Sequence, residues 1–130
     1  MKKDITNIRS TLDWLKEQGD VIETDKEVDP DLELTGLQKH LDGGPVILFN
    51  NVKDKPHARA ITNLFSDIEV IDKIFGYEDP VQRTRKIADC IEQPLPPTEV
   101  SQDEAPCQET VITDDLDVNK WITAIRHTKL

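Results

Sequence analysis

EVDPDLELTGLQKHLDGGPVILFNNV, residues 27–52, contains a helix start, a helix stop and an apolar strand in succession. Asp29 fits the N-cap because its carboxylate accepts backbone N–H bonds, and Pro30 fits the first helical position because it has no N–H to leave unpaired. Leu34, Leu37 and Leu41 follow at helical spacing. Gly43 and Gly44 then predict the end of the helix. PVILFNNV predicts a buried strand, since its four successive apolar residues leave no polar face.

A helix and a short strand are predicted upstream of this unit. In NIRSTLDWLKEQGD, the side chains of Ile8, Leu12, Trp14 and Leu15 suit one face of a helix. Gly19 stands where a C-terminal cap belongs. DVIET follows as a short strand in acidic surroundings.

Downstream of residue 52 the sequence predicts a further strand and two more helices. KDKPHA is a surface turn and ARAITNLF a strand. Ser66 and Glu69 have capping-box spacing before IEVIDKIF, and Gly76 ends that helix. Asp79 and Pro80 repeat the N-cap device before VQRTRKIADCIEQ. We therefore expect a small α+β domain, a mixed α/β arrangement of about four helices and several short strands.

Charge and apolar content limit the partners of the chain. Sixteen basic residues against 26 acidic ones give a formal net charge of -10 over 130 residues, which repels phosphate backbones and anionic headgroups. Nucleic acid and membrane surfaces are therefore excluded as expected partners. The first ten residues carry no apolar run, and no stretch approaches the roughly 20 apolar residues of a membrane span. We expect a cytoplasmic protein.

A proline-rich segment predicts the domain organisation. QPLPPTEVSQDEAPCQ, residues 93–108, has four prolines in 16 residues and cannot continue a helix. We expect an N-terminal α/β domain over residues 1–92, a linker over 93–108, and over 109–130 the start of a segment that leads into a further domain. ETVIT in that last segment predicts a short strand. Its later apolar residues, Trp121, Ile122 and Ile125, require a partner outside the chain.

The polar residues supply no convincing catalytic, cofactor-binding or metal-binding site. Nucleotide-binding, hydrolase and zinc motifs are absent from the sequence. Helix capping accounts for the clustered carboxylates, turn chemistry for the paired asparagines, a solvated helix face for the basic cluster, and surface positions for the histidines. Two intracellular thiols fit better than a disulfide. The residues weighed were Asp29, Asp31, Glu33, Asp114, Asp115, Asp117, Asn50, Asn51, Arg83, Arg85, Lys86, His40, His57, His127, Cys90 and Cys107.

Four phrases, taken in order, carry a family resemblance. They are LDWLKEQGDVIETDKEVDPDLELTGL, GGPVILFNNVKD, AITNLFSD and TDDLDVNKWITAIRHTKL. Together they resemble the N-terminal region of the UbiD-family decarboxylases, which use a prenylated flavin mononucleotide. NNVKD stands where that family commonly has ENVKG, and TNLF where it has GNLF. KWITAIRHTK replaces the usual KLP wording and resembles the branch that acts on substituted aromatic acids.

The resemblance implies a reaction whose machinery lies beyond these residues. UbiD-type enzymes reversibly decarboxylate aromatic or α,β-unsaturated acids on prenylated FMN with a divalent metal. Their Arg and paired Glu residues and their metal ligands belong to a central domain that follows the matching region. We accordingly expect no catalytic, cofactor-binding or metal-binding residue in this chain, and no activity from the chain alone.

The resemblance also implies partners. This domain would pack against the central and C-terminal domains of the same enzyme, or against a partner subunit, and the full-length enzyme would form homo-oligomers. The alternative from a different class is a free-standing, non-catalytic acidic assembly module or accessory subunit derived from such a domain.

Overall fold

Four α-helices and a three-stranded sheet make up the computed structural model, which describes residues 3–105, 111–117 and 125–128. This confirms the expected small α+β architecture. In chain order the elements are α1 (Ile8–Gln18), β1 (Val21–Thr24), α2 (Glu33–His40), β2 (Val46–Phe49), β3 (Ala60–Thr62), α3 (Ile68–Phe75) and α4 (Pro80–Glu92), followed by a single 3₁₀ turn at Gln102–Glu104.

Strand β2 lies at the centre of the sheet and is buried along its whole length. It pairs in parallel with β1, in a register that sets Val21 opposite Val46, and antiparallel with β3, where Leu48 faces Ile61. The β1–α2–β2 segment is therefore a βαβ unit, as a parallel pair requires a crossover connection. The predicted buried strand is confirmed.

The two faces of β2 build two separate cores. Ile47 and Phe49 pack with Leu34 of α2 on one face, whereas Val46 packs with α1 and α3 on the other. Alternate residues of a strand point to opposite faces, so a fully apolar strand suits a sheet that is covered on both sides. The remaining buried residues of the first core are Val28, Val52 and Ala60, and those of the second are Leu12, Leu15, Val70 and Ile74.

The predicted start of α2 is wrong by one turn. The helix begins at Glu33 after Leu32, whose φ of 72° is left-handed, and not at Asp29 and Pro30. The Asp29 carboxylate accepts the Asp31 N–H at 2.8 Å, and the Asp29 N–H donates to the Glu33 carboxylate at 2.8 Å. These bonds stabilise a turn ahead of the helix, because aspartate bonds its own backbone two residues on as readily as it caps a helix.

The predicted cap of α3 is also wrong, by one residue. Asp67 is the N-cap and accepts the Glu69 N–H at 2.8 Å. Ser66 is occupied elsewhere, since its hydroxyl accepts the Gly43 N–H at 2.6 Å and donates to Asp42 at 3.0 Å. Ser66 and Glu69 have the spacing of a capping box but do not form one, because the Ser66 hydroxyl bonds to residues that follow α2.

The predicted end of α2 at Gly43 and Gly44 is also wrong, since the helix ends at His40 with Leu41 as its C-cap. The signals of α1, the end of α3 and the start of α4 are confirmed. Gly19 and Gly76 end α1 and α3 in the left-handed region, with φ of 81° and 73°, where a side chain would be strained. Asp79 caps α4 by accepting the N–H groups of Val81 and Gln82, with Pro80 at the first turn.

The C-terminal third is described only in part. Residues 93–101 have no regular structure, and the division into 1–92, 93–108 and 109–130 stays a prediction. The expected ETVIT strand is wrong for residues 111–113, which are exposed and belong to no strand of the sheet. Residues 109 and 110 of that prediction lie outside the described residues. None of the described helices combines the length and apolar character that crossing a membrane requires.

Thr62 is a buried threonine whose hydroxyl has no hydrogen-bond partner among the described residues. Replacing it by the isosteric valine removes an unsatisfied polar group, so Thr62→Val should raise the free energy of unfolding by about 1 kcal/mol in urea titrations. Thr11 is the matched control, since it is equally buried but donates to the Asn7 carbonyl at 2.8 Å. Thr11→Val should lower stability, and a loss from Thr62→Val would show that its hydroxyl is satisfied.

Candidate functional site

A charged cleft lies beyond the carboxyl ends of the two parallel strands. An isolated bridge between Val28 and Val52 extends their pairing into the loops that follow. In α/β units, such loops bring polar side chains from both strands to one edge. The cleft has a volume of about 490 Å³ and is lined by Asp29, Pro30, Asp31, Lys53, Asp54, Lys55 and Arg126.

The first ion pair of the charged cleft joins the two loops. Lys53 Nζ lies 2.6 Å from Asp29 Oδ2, and the other Asp29 oxygen accepts the Asp31 N–H. The hydrogen bond from Lys53, then that from Asp31, lowers the pKa of Asp29 below its usual value. The same bond raises the pKa of Lys53. Both groups therefore stay charged at neutral pH, and each neutralises the other.

The second ion pair fastens the C-terminal part of the chain to the start of α2. Arg126 Nε and Nη2 lie 2.6 and 2.7 Å from the two carboxylate oxygens of Asp31, the paired geometry that suits a guanidinium. Backbone contacts reinforce it, since Arg126 N–H donates to the Pro30 carbonyl at 3.1 Å and the Thr35 hydroxyl donates to the Arg126 carbonyl at 3.1 Å. We call Ile125 and Arg126 the C-terminal clip.

The prediction that Ile125 needs a partner outside the chain is wrong. Its side chain is partly buried and packs against the core that contains Val28 and Leu34. The clip therefore has its partner within the chain, because the turn ahead of α2 offers both apolar and charged contacts. The other two apolar residues of that prediction, Trp121 and Ile122, lie outside the described residues.

The paired asparagines connect loops across the sheet edge. Asn50 Nδ2 donates to Glu23 at 2.9 Å and to Asp25 at 3.0 Å, while Asn51 Nδ2 donates to the Asp25 carbonyl at 3.4 Å. Lys16, and secondly Asn50, lowers the pKa of Glu23 through hydrogen bonds. These carboxylates are thus engaged with neighbours of the same chain.

The charged cleft does not fit a flavin phosphate or a divalent metal. A phosphate needs net positive charge, but the three cations that line the cleft face three carboxylates, and Lys53 and Arg126 are each bonded directly to one of them. The cations are Lys53, Lys55 and Arg126, and the carboxylates are Asp29, Asp31 and Asp54. A metal needs oxygen ligands that converge, but Asp29, Asp31 and Glu33 bond separately to Lys53, Arg126 and the Asp29 N–H. Within the described ranges no group of three or more His, Cys, Asp or Glu could hold a metal ion.

The other residues weighed in the sequence are dispersed. His40, His57 and His127 are exposed in separate segments. Arg83 pairs with Asp72 of α3, and Arg85 and Lys86 are exposed on α4. Cys90 is an exposed free thiol, whereas Cys107 lies outside the described residues. Asp114, Asp115 and Asp117 are exposed, and any helix that they would cap falls in residues 118–124, also outside the described part.

An aromatic surface was missed from the sequence. Phe65, Phe75 and Tyr77 stack in a row, with ring centroids 6.3 and 5.8 Å apart. Ile5 and Ile8 line a groove of about 230 Å³ together with Phe65 and Phe75, and Ile68 at the start of α3 is also exposed. We call these six residues the aromatic patch. IEVIDKIF carries apolar residues on more than one helix face, which is the signal that could have revealed it.

Comparison with known families decides the relationship. Residues 12–91, which include all the elements from β1 to α3 and most of α1 and α4, match the profile of the 3-octaprenyl-4-hydroxybenzoate carboxy-lyase N-terminal domain, UbiD_N. The chain belongs to the UbiD family. The match confirms the resemblance carried by the first three of the four ordered phrases, since the fourth begins after residue 91, and the described fold is that of the UbiD N-terminal domain.

Individual relatives agree with the family match. Gallate decarboxylase of Lactiplantibacillus plantarum is 29% identical over 136 residues, covering 94% of this chain and 28% of its own length. The UbiD-class enzyme HmfF of Pelotomaculum thermopropionicum, solved with FMN, is 32% identical with a TM-score of 0.77, covering 93% and 27%. The apo 3,4-dihydroxybenzoic acid decarboxylase of Enterobacter cloacae is 28% identical with a TM-score of 0.77, covering 92% and 27%. This UbiD chain therefore spans little more than a quarter of the length of each of these relatives.

The lowered pKa of Asp29 predicts a pH-dependent contribution to stability. A carboxylate with a lower pKa in the folded state stabilises it above the unfolded pKa of about 4, and this contribution is lost as pH falls through the folded pKa. Asp29→Asn should therefore destabilise the chain at pH 6, and the difference from the wild type should shrink below pH 4, in urea titrations at a series of pH values. In a Lys53→Met background the effect should be smaller. An equal difference at every pH would contradict this.

The C-terminal clip predicts a protected amide. The Arg126 N–H donates to Pro30, so its hydrogen exchange should be slow while the clip is closed. Arg126→Glu sets two negative charges against each other at Asp31 and should speed exchange at residue 126 roughly tenfold, measured by NMR. Asp31→Arg combined with Arg126→Glu should restore protection. Arg9→Glu, an equal charge change at an exposed position of α1, is the control. Equal exchange in all variants would show that the ion pair does not hold the clip.

Proposed function

We propose that this chain is the N-terminal domain of a longer UbiD-type carboxy-lyase that reversibly decarboxylates a substituted aromatic acid with prenylated FMN and a divalent metal, and that the chain alone is inactive. The single observation that supports this most strongly is the family match over residues 12–91, combined with coverage of only 27–28% of the relatives. Cytoplasmic location and homo-oligomerisation of the whole enzyme remain predictions.

The names of the relatives support an aromatic acid as the substrate class. One relative is named for gallate and another for 3,4-dihydroxybenzoic acid, and both of these acids are hydroxylated benzoates. HmfF was solved with FMN, which supports a flavin in the proposed whole enzyme. Because the cofactor carries the difficult chemistry in such a reaction, a domain without a flavin site contributes by packing and positioning.

The exposed aromatic patch supports a packing role. Phe65 is 59% exposed and Phe75 is 48% exposed, although contiguous apolar surface of this kind is usually covered in a soluble protein. We propose that the aromatic patch contacts the flavin-binding part of the enzyme. The alternative, a non-catalytic assembly module, would use the same surface for a separate subunit, and a native stop codon after Leu130 in the source gene would favour it.

Flavin titration tests the proposal. Because three carboxylates balance the three cations that line the charged cleft, the 130-residue chain should leave FMN fluorescence unchanged up to concentrations on the order of 100 µM. A polypeptide that continues past Leu130 into the next domain should bind FMN and, when supplied with the prenylated cofactor, release CO₂ from gallate or 3,4-dihydroxybenzoate. Micromolar FMN binding by the 130-residue chain would contradict the assignment of the flavin site to another domain.

The packing role has its own test in the longer polypeptide. Phe75→Glu should reduce CO₂ release and lower the thermal midpoint, because it places a charge in a buried interface. Val111→Glu is the matched control, as Val111 is 71% exposed and is not among the residues that line the groove beside the aromatic patch. Equal activity and stability of the two variants would show that the patch is not an interface.

A further inference from the structure

Among the described α-helices, α4 is the longest and differs from the others in having no buried residue. Every one of its residues is described and none is buried. Its strongest link to the rest of the domain is the ion pair between Arg83 and Asp72 of α3. Val81 is 66% exposed and Ile91 is 75% exposed. An amphipathic helix with an uncovered apolar side normally gains its stability from a partner.

Four apolar or small residues of α4 form a narrow seam, and Ile87, which is 47% exposed, lies on its flank. Val81, Thr84, Ala88 and Ile91 follow one another at alternating steps of three and four residues, the spacing of a coiled-coil seam. At 100° per residue they span about 80° of the helix surface, and Arg83 lies about a third of a turn away from their centre. The seam, which we call the α4 stripe, therefore faces away from the α3 contact, and a shallow groove runs along it beside Arg85.

The charges of α4 run against its own dipole. After the N-cap, the first turn contains no acidic residue and the last turn contains no basic residue. Arg83, Arg85 and Lys86 instead occupy the first half, with Asp89 and Glu92 in the second. A lone helix is stabilised by the opposite order. Within the described part of the domain, α4 makes too few contacts to offset this unfavourable order of charges.

We propose that the α4 stripe binds the α4 stripe of a second copy of this chain in antiparallel orientation. Reversal places the basic half of each helix beside the acidic half of the other, and it opposes the two helix dipoles. Arg85 and Glu92 are seven residues apart and lie on the same flank of the stripe, so each faces the other residue of the second copy across a two-fold axis near Ala88. Ala88 and Thr84 are small and leave room for Ile91 of the second copy.

The second copy explains both features of α4 with one partner. An unrelated apolar partner would cover the α4 stripe but would not account for the reversed charge order. Isologous contact, in which one surface meets itself, is also the commonest symmetry among protein oligomers. A single helix pair is at the small end of specific interfaces, so the contact is weak. The proposal does not depend on the carboxy-lyase assignment.

Sedimentation equilibrium on the 130-residue chain tests the contact. The wild type should pass from monomer to dimer at concentrations on the order of 100 µM. Ile91→Glu should raise the dissociation constant at least tenfold, whereas Val111→Glu, an exposed position outside α4, should leave it within twofold. A monomeric wild type throughout the range, or equal effects of the two variants, would overturn the proposal and leave the α4 stripe to a different partner.

A charge exchange tests the orientation. Arg85→Glu and Glu92→Arg should each weaken the dimer at least threefold, and the double variant should restore it, since the two side chains meet only between copies. Arg9→Glu carries the same change of net charge on α1 and should weaken the dimer less than Arg85→Glu does. Helix content by circular dichroism should be equal in all variants. A double variant as weak as the single ones would overturn the antiparallel contact.

Discussion

The burial of β2 on both faces is the constraint on which the rest of the domain depends. Four apolar residues in succession give this strand no side that tolerates water, so it needs a neighbour on each edge and a layer on each face. β1 and β3 supply the edges, α2 covers one face, and α1 with α3 covers the other. Burial of a side chain of this size contributes roughly 1.5–3 kcal/mol, so these contacts outweigh the surface ion pairs of the domain.

The parallel pairing of β1 with β2 also decides where polar groups gather. Both strands end at the same edge, and the loops that follow bring Asp29 beside Lys53. Arg126 then reaches the same edge from nearly a hundred residues further along the chain and pairs with Asp31. Carboxylates and cations are therefore equal in number along the lining of the charged cleft, and the pair at Asp31 positions the C-terminal clip. The described residues leave no net positive charge there for a cofactor phosphate.

Local sequence signals succeeded where the backbone alone decides the outcome. The left-handed ends at Gly19 and Gly76 and the Asp79 cap need only their own few residues, and the sequence predicted each correctly. The signals failed where a distant group competes for the same atom. The Ser66 hydroxyl is bonded to Asp42 and Gly43 beyond the end of α2, whereas Asp29 uses one oxygen in a local turn and the other for distant Lys53. No spacing rule contains those partners, because they become neighbours only after the sheet has formed.

The same limit explains why the surfaces were harder to predict than the core. An apolar residue at helical spacing predicts burial, yet Phe75 and Ile91 are exposed within the described domain, and so is Phe65 of the predicted strand ARAITNLF. Their patterns are those of core residues, and they lack only the element that would cover them. Paired charges in water contribute little, whereas covering apolar surface gains about 25 cal/mol for each Å². Burying the exposed apolar surfaces of the described domain would therefore gain more free energy than its surface ion pairs contribute.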